Sequence, residues 1–240
     1  MMGITERTNR VLESIAEACA RAGRDPAAVT LVAVSKTQPV EAVLQAVEAG
    51  LQHFGENRVE EAEDKIPAVN RASPRPLIWH MIGHLQSRKA RLVLPLFQQV
   101  HSVDSLRLAV RLSALAVEAG RTLDVLLEMN VSGEAAKYGF EAAGWQSDDE
   151  VRRRLWNEVE HILALPGLNV HGLMTMAPIV ADMEQTRPVF AQLAALRGAL
   201  AESFGRPLPE LSMGMTDDYP VAVEEGATLV RIGRALFGEG

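Results

Sequence analysis

The stretch Thr30-Leu31-Val32-Ala33-Val34-Ser35-Lys36 decides how the rest of the chain is read. Its apolar residues follow one another without polar alternation, which describes a strand covered on both faces, as in a parallel sheet with helices outside it. Seven further runs read as strands: Gln52–Gly55, Leu77–Gly83, Phe97–Val103, Leu123–Val131, Leu168–Met176, Glu210–Met213 and Thr228–Ile232. Helical spacing lies between them, near 40–49, 57–69, 86–94, 105–119, 150–164, 184–203 and 218–225. A leading helix over 4–22 is expected to turn Leu12, Ile15, Ala16 and Cys19 to one face. Eight strands separated by seven helices is the count of a closed α/β barrel, the (β/α)8 or TIM barrel. A doubly wound open sheet shares the alternation. It would set G-x-G-x-x-G after an early strand, however, and none follows Val34. The barrel is the better reading, with Glu141–Asp149 as an irregular insertion.

Composition agrees with that size and class. The 240 residues are 48% apolar and 23% charged, so residues 1–240 are expected to form a single barrel domain. The net charge of −7 argues against a nucleic-acid partner, which needs a clustered basic surface. Arg71, Arg75 and the Arg152-Arg153-Arg154 run are read as solvated. The one cysteine, Cys19, can form no internal disulfide, and no apolar run approaches a membrane span. A cytoplasmic protein with no membrane association is expected.

In such a barrel the chemistry gathers at the C-terminal ends of the strands. Lys36, Glu56-Asn57, His84, Asp104, Lys137, Met176, Thr216 and Gly233-Arg234 follow the eight strands in turn. The chain has four lysines, of which Lys65 and Lys89 lie in polar helical stretches and read as solvated charge. Lys36 instead follows an apolar run, where burial would disfavour the ammonium form, and a neutral amine can attack a carbonyl to form a Schiff base. Thr216 supplies a hydroxyl. Gly233 and Arg234 open a short helix whose free N–H groups can cradle a phosphate, the usual place for one in these barrels. Together they suggest a phosphorylated carbonyl compound, either pyridoxal 5′-phosphate or a sugar phosphate in an aldolase. His80 and His84 lack the context of a zinc pair. His84 is a candidate for lining the ligand site, while His53, His101 and His171 read as packed residues. Met174, Met176, Met213 and Met215 read as core filling, with Met176 or Met213 as the methionine that could face a ligand.

Seven segments, in order, resemble the pyridoxal-phosphate homeostasis protein family. They are Val-Ala-Val-Ser-Lys-Thr-Gln-Pro (32–39), Phe-Gly-Glu-Asn-Arg (54–58), Trp-His-Met-Ile-Gly-His-Leu-Gln-Ser (79–87), His-Ser-Val-Asp (101–104), Gly-Leu-Met-Thr-Met-Ala-Pro (172–178), Leu-Ser-Met-Gly-Met-Thr-Asp-Asp (211–218) and Val-Arg-Ile-Gly-Arg-Ala-Leu-Phe-Gly (230–238). The likeness runs from about residue 4 onward, and the family is similar to the N-terminal barrel of alanine racemase.

The resemblance implies the following roles. Lys36 would carry pyridoxal 5′-phosphate as a covalent aldimine. Thr216 stands where the family usually has a phosphate-binding serine, and Gly233 and Arg234 would give backbone N–H groups to the same phosphate. Arg231 would face the pyridine nitrogen, Asn57 would flank the ring, and His84 and Met213 complete the expected cofactor-binding set. Lys137 is a candidate secondary acceptor during transfer. Arg88 departs from a common asparagine and reads as a surface change, and 139–152 is longer than the family usually shows. A guanidinium at the ring nitrogen makes the cofactor a weaker electron sink. Racemisation further needs a tyrosine base from a β-rich domain, which is expected to be absent, and neither Tyr138 nor Tyr219 matches it. A monomeric cofactor carrier supplying apo-enzymes is therefore expected rather than an enzyme. The alternatives are an amino-acid racemase-like enzyme and a Schiff-base aldolase.

Overall fold

Each expected strand forms, and every pairing is parallel. The computed structural model describes residues 2–238. The strands are β1 (Thr30–Val34), β2 (His53–Glu56), β3 (Ile78–Met81), β4 (Gln99–Val103), β5 (Leu123–Asn130), a two-residue β6 (Phe140–Glu141), β7 (Leu168–Met174), β8 (Glu210–Ser212) and β9 (Leu229–Ile232). They run in the order β4-β3-β2-β1-β9-β8-β7-β5, with β6 on the end of β5, and pairing of β4 with β5 closes the ring. The fold is a (β/α)8 barrel. The helices are α1 (Ile4–Arg21), α2 (Val40–Glu48), α3 (Val59–Ala72), α4 (Leu106–Glu118), α5 (Asp149–Leu163), α6 (Arg187–Phe204), α7 (Tyr219–Glu224) and α8 (Arg234–Phe237), with 3-10 turns at Pro26–Ala28, Ser87–Leu92 and Met183–Thr186. Among the described residues no helix is long and apolar enough to cross a membrane.

Side-chain parity along each strand separates two interiors. One parity set, including Ala33, Phe54, Trp79, Val125, Leu127 and Leu211, packs outward against the helices in one large apolar cluster. The opposite set points into the barrel, where Val32, Leu126, Met174 and Leu229 form a small second cluster with Met176 against it. Gly83 lets two loops meet, since a Cβ there would lie 2.2 Å from the Asn57 carbonyl oxygen.

Several expectations need correction. Of the expected α1 face Ile15 and Cys19 are buried, but Leu12 is 45% exposed and Ala16 half-buried, because Val11 and Ala18 complete the inward face. The 86–94 segment is a 3-10 turn rather than an α-helix, and the helix expected from 184 starts at Arg187, with Pro188 in its first turn. The Glu141–Asp149 stretch, by contrast, is irregular as expected, turning between β6 and α5. Trp145 is buried beside Trp156, and Asp148 caps α5 by accepting from the Glu150 and Val151 N–H groups. Arg153 and Arg154 are exposed as expected, Arg154 in a surface pair with Glu141, whereas Arg152 is half-buried and donates to the Trp145 carbonyl at 3.1 Å.

Candidate functional site

Strand β1 ends at Val34, and Lys36 stands two residues on, at the barrel mouth. Its side chain is exposed, which removes burial as the reason for singling it out. The chain turns there instead of continuing into the sheet. Thr37 takes φ 61°, the left-handed region that a β-branched residue rarely adopts, and its hydroxyl donates to the Lys36 carbonyl at 2.6 Å. A strained turn thus sets the backbone of the lysine.

Lys65 corrects the sequence reading more sharply. It is 11% exposed, not solvated, and its ammonium reaches the Ser35 carbonyl at 2.9 Å and Glu56 Oε1 at 3.0 Å. Glu56 is wholly buried on the helix side of β2 and also accepts from the Ser35 hydroxyl at 2.8 Å. Burial pushes the Glu56 carboxyl up, and Lys65 opposes that shift. A buried ion pair therefore braces the residue immediately before Lys36. The signal lay in Glu56: a carboxylate at the end of an apolar strand needs a cation from the helix packed over it.

A second corner forms where β8 and β9 end. A Cβ on Gly233 would lie 3.5 Å from the Val34 Cβ, so the β9 end adjoins the β1 end that carries Lys36. Gly214 has φ 90°, and a Cβ there would meet the Ala222 side chain at 2.6 Å, so glycine is required. Asp218 accepts from the Met215 N–H at 2.6 Å and folds the loop that presents Thr216. Arg231 N–H donates to the Gly214 carbonyl at 3.0 Å, and the exposed Arg234 side chain pairs with Asp217 at 2.5 Å. Thr216, Gly233 and Arg234 are thus brought to one side of the mouth, next to Lys36.

Arg231 lies deeper, 4% exposed, in register with Val32 of β1. It donates to Ser212 Oγ at 2.6 Å and to the Thr175 carbonyl at 2.9 Å. Burial lowers its pKa to about 10, while Glu128 and Asp218 hold it up. Glu128, on the inward parity of β5, was missed by the sequence reading. Burial raises its pKa to about 7, the charge of Asp104 adds to that rise, and Arg231 opposes it.

Across the mouth, His84 bonds Asp104 Oδ2 at 3.0 Å and stacks on Tyr138, with ring centroids 3.8 Å apart. These residues, with Arg88, Arg107 and Lys137, line a cleft of about 730 Å³. Asn57, His84 and Lys89 line a second of about 490 Å³, and the Asn57 Oδ1 atom is buried without a partner. Lys137 donates to the Met176 carbonyl at 3.1 Å and pairs with Glu134. Lys36, Thr216 and Arg231 line neither cleft. Met213 is fully buried in the outer apolar cluster, because parity sends Ser212 inward and Met213 toward the helices. It is a packing residue, whereas Met176, the other methionine considered for the ligand, packs against the interior cluster that also holds Met174. His80 belongs to the interior and His84 to the mouth.

The donor set fits a phosphorylated aromatic aldehyde. An accessible primary amine adjoins a helix start opened by Gly233, a buried cation lies beneath, and an orphaned amide oxygen of Asn57 stands to one side.

Residues 11–240 match the family model described as the alanine racemase N-terminal domain. The chain is 41% identical over 238 residues to the pyridoxal phosphate homeostasis protein of Aquifex aeolicus, covering 99% of each. It is 44% identical to the protein of that name from Pseudomonas aeruginosa, covering 99% of this chain and 96% of the relative. The solved structure of PipY from Synechococcus elongatus with pyridoxal phosphate bound superposes with a TM-score of 0.78 at 37% identity, covering 93% of this chain and all of that one.

Proposed function

The chain belongs to the pyridoxal phosphate homeostasis protein family, and on that premise we propose that it holds pyridoxal 5′-phosphate at the barrel mouth through a covalent bond to Lys36. The carrying observation is the meeting of Lys36 with the Thr216–Gly233–Arg234 corner on adjoining strand ends, above a buried Arg231. The bound cofactor supplies an electron-withdrawing ring and a reactive aldehyde. Thr216 and the first N–H groups of α8 hold the phosphate, since a helix start offers donors to an anion. Arg231 gives an N–H to the ring nitrogen, and Asn57 and His84 flank the ring.

That arrangement suits storage better than turnover. Arg231 stays cationic at neutral pH, so the ring nitrogen beside it stays unprotonated and withdraws electrons weakly. Residues 1–240 act as one monomeric cofactor-binding unit in the cytoplasm, sequestering the reactive aldehyde and releasing it to apo-enzymes. The test is Lys36→Ala. Wild-type protein loaded with the cofactor should show near-visible absorption and a borohydride-trapped adduct, and the variant should lose both. An adduct mapped to Lys137 would overturn the assignment. Amino-acid turnover in the ordinary enzyme range of about 1–10³ s⁻¹ would overturn the storage role.

A further inference from the structure

Three imidazoles stand in line inside the barrel on neighbouring strands. His53 Nδ1 lies 3.0 Å from His80 Nε2, and His80 Nδ1 lies 2.9 Å from His101 Nε2. His101 Nδ1 lies 2.9 Å from Ser212 Oγ, which accepts from Arg231 Nη1. His80, His101 and Ser212 are buried, and His53 is partly open at the far end. Barrel interiors are ordinarily filled by branched apolar side chains. A polar column there is costly unless every member is bonded.

The order of protons along this column is set at His101 Nε2, and the Ser212 end is compatible with it. Arginine can only donate, so Ser212 Oγ accepts from Arg231 and keeps its own hydrogen free for His101 Nδ1. At the other ring nitrogen, Gln99 donates its amide N–H to the Glu210 carboxylate, which aims Gln99 Oε1 at His101 Nε2 across 3.0 Å. A carbonyl oxygen only accepts, so His101 Nε2 carries the hydrogen. In the neutral ring His101 Nδ1 is then the acceptor, so the Ser212 hydroxyl donates to it. The same Nε2 hydrogen is shared with His80 Nδ1, so His80 accepts there and donates from Nε2 to His53. Burial favours this uncharged state, holding His80 down to about 3 and His101 well below the ordinary imidazole range.

We propose that His80, His101 and Ser212 are positioning residues that hold the Arg231 guanidinium in one orientation, and that this orientation makes the site selective for a ring that presents an unprotonated nitrogen. The proposal rests on the reading that pyridoxal 5′-phosphate sits above Arg231. With one guanidinium nitrogen fixed on Ser212 and another on the Thr175 carbonyl, the group cannot swing toward a different acceptor. A ring with carbon in place of that nitrogen would leave a buried N–H unpaired.

The test compares pyridoxal 5′-phosphate with its 1-deaza analogue by fluorescence titration on the full chain, with thermal melts confirming that each variant is folded. The wild type should favour the natural cofactor by on the order of tenfold or more, the effect of one lost bond to a charged donor. Ser212→Ala should erase most of that preference and shift the absorption band of the bound cofactor, while Ser212→Thr, which keeps the hydroxyl, should restore both. His101→Phe should behave like Ser212→Ala. A folded Ser212→Ala protein that keeps the full preference would overturn the positioning role while leaving the cofactor reading intact. A wild type that binds neither compound would sink both. Independently of any ligand, ¹⁵N-histidine spectra at pH 7 should show His80 and His101 neutral with the hydrogen on Nε2, and an Nδ1–H form of His101 would break the column.

Discussion

The two interiors of this barrel follow opposite rules. Outside the sheet, the layer facing the helices is continuous apolar packing, and where it admits charge, at Glu56 and Lys65, the two groups are paired within 3.0 Å. Inside, Val32, Leu126, Met174 and Leu229, with Met176 beside them, form a small apolar patch, while His80, His101, Ser212, Arg231 and Glu128 occupy buried positions of the same parity. The outer layer holds the fold. The inner column gives up apolar burial to fix polar groups beneath the mouth, so changes in the two regions should move stability in opposite directions.

The largest expected effect is in the outer layer. Lys65→Met keeps the side-chain volume but leaves Glu56 wholly buried without its cation, and losing one partner of a buried pair costs about 3–5 kcal/mol. Urea denaturation should show this loss, and the double variant Glu56→Gln/Lys65→Met should recover much of it. A cost below about 1 kcal/mol for the single change would place the pair with ordinary surface ion pairs and erase the contrast.

Inside the barrel the sign should reverse. The Glu128 carboxyl is raised to about 7, so the folded state holds that proton more tightly than the unfolded chain does. The stability this contributes is full below the ordinary glutamate range and is lost as pH rises through about 7. At pH 8 the wild type therefore carries a buried, ionised carboxylate. Glu128→Gln should be the more stable protein at pH 8, by up to about 3 kcal/mol for a shift of that size, with the gap closing toward pH 5. A gap that does not change with pH would mean that Glu128 does not titrate in this range.

Much of this division was legible in residue order. Unbroken apolar runs gave eight strands with boundaries within a few residues, and position at strand ends picked out Lys36, Thr216 and Gly233. What failed was judgement of single residues. Lys65 looked solvated because its sequence neighbours are acidic, and helix periodicity does not say which polar residue turns toward a buried partner. Leu12 and Val11 differ by one step, about 100° around a helix, enough to exchange an exposed side chain for a buried one. Met213 was placed at the ligand although it alternates with Ser212, whose inward parity it cannot share. Glu128 and Ser212 could have been found by that same parity, as polar residues on the inward set of otherwise apolar strands.

The mouth should behave as neither interior does. Thr216→Val removes one hydroxyl from a partly exposed loop and leaves the backbone donors of Gly233 and Arg234 in place. Cofactor affinity should fall by about 1–3 kcal/mol, the range for a hydrogen bond to a charged acceptor, with the melting temperature almost unmoved. Unchanged retention in a dialysis experiment would mean that the hydroxyl points away from the phosphate.

The smallest effect concerns the turn that carries Lys36. Thr37 sits at φ 61°, where a side chain branched at Cβ is crowded against its own backbone. Strain of this kind costs about 1–3 kcal/mol. Thr37→Gly relieves it, but glycine loosens the unfolded chain by about 0.5–1 kcal/mol, and the hydroxyl bond to the Lys36 carbonyl is lost. The net change should be a gain in stability of at most about 1 kcal/mol, read as a small rise in melting temperature. Cofactor retention should move the other way, because a freer turn no longer fixes the Lys36 backbone against the Gly233 corner. A stabilised variant that binds less tightly would show that the strain serves the site. A destabilised one would show that the hydroxyl bond outweighs the crowding, and that the mouth, like the layer outside the sheet, is built for the fold.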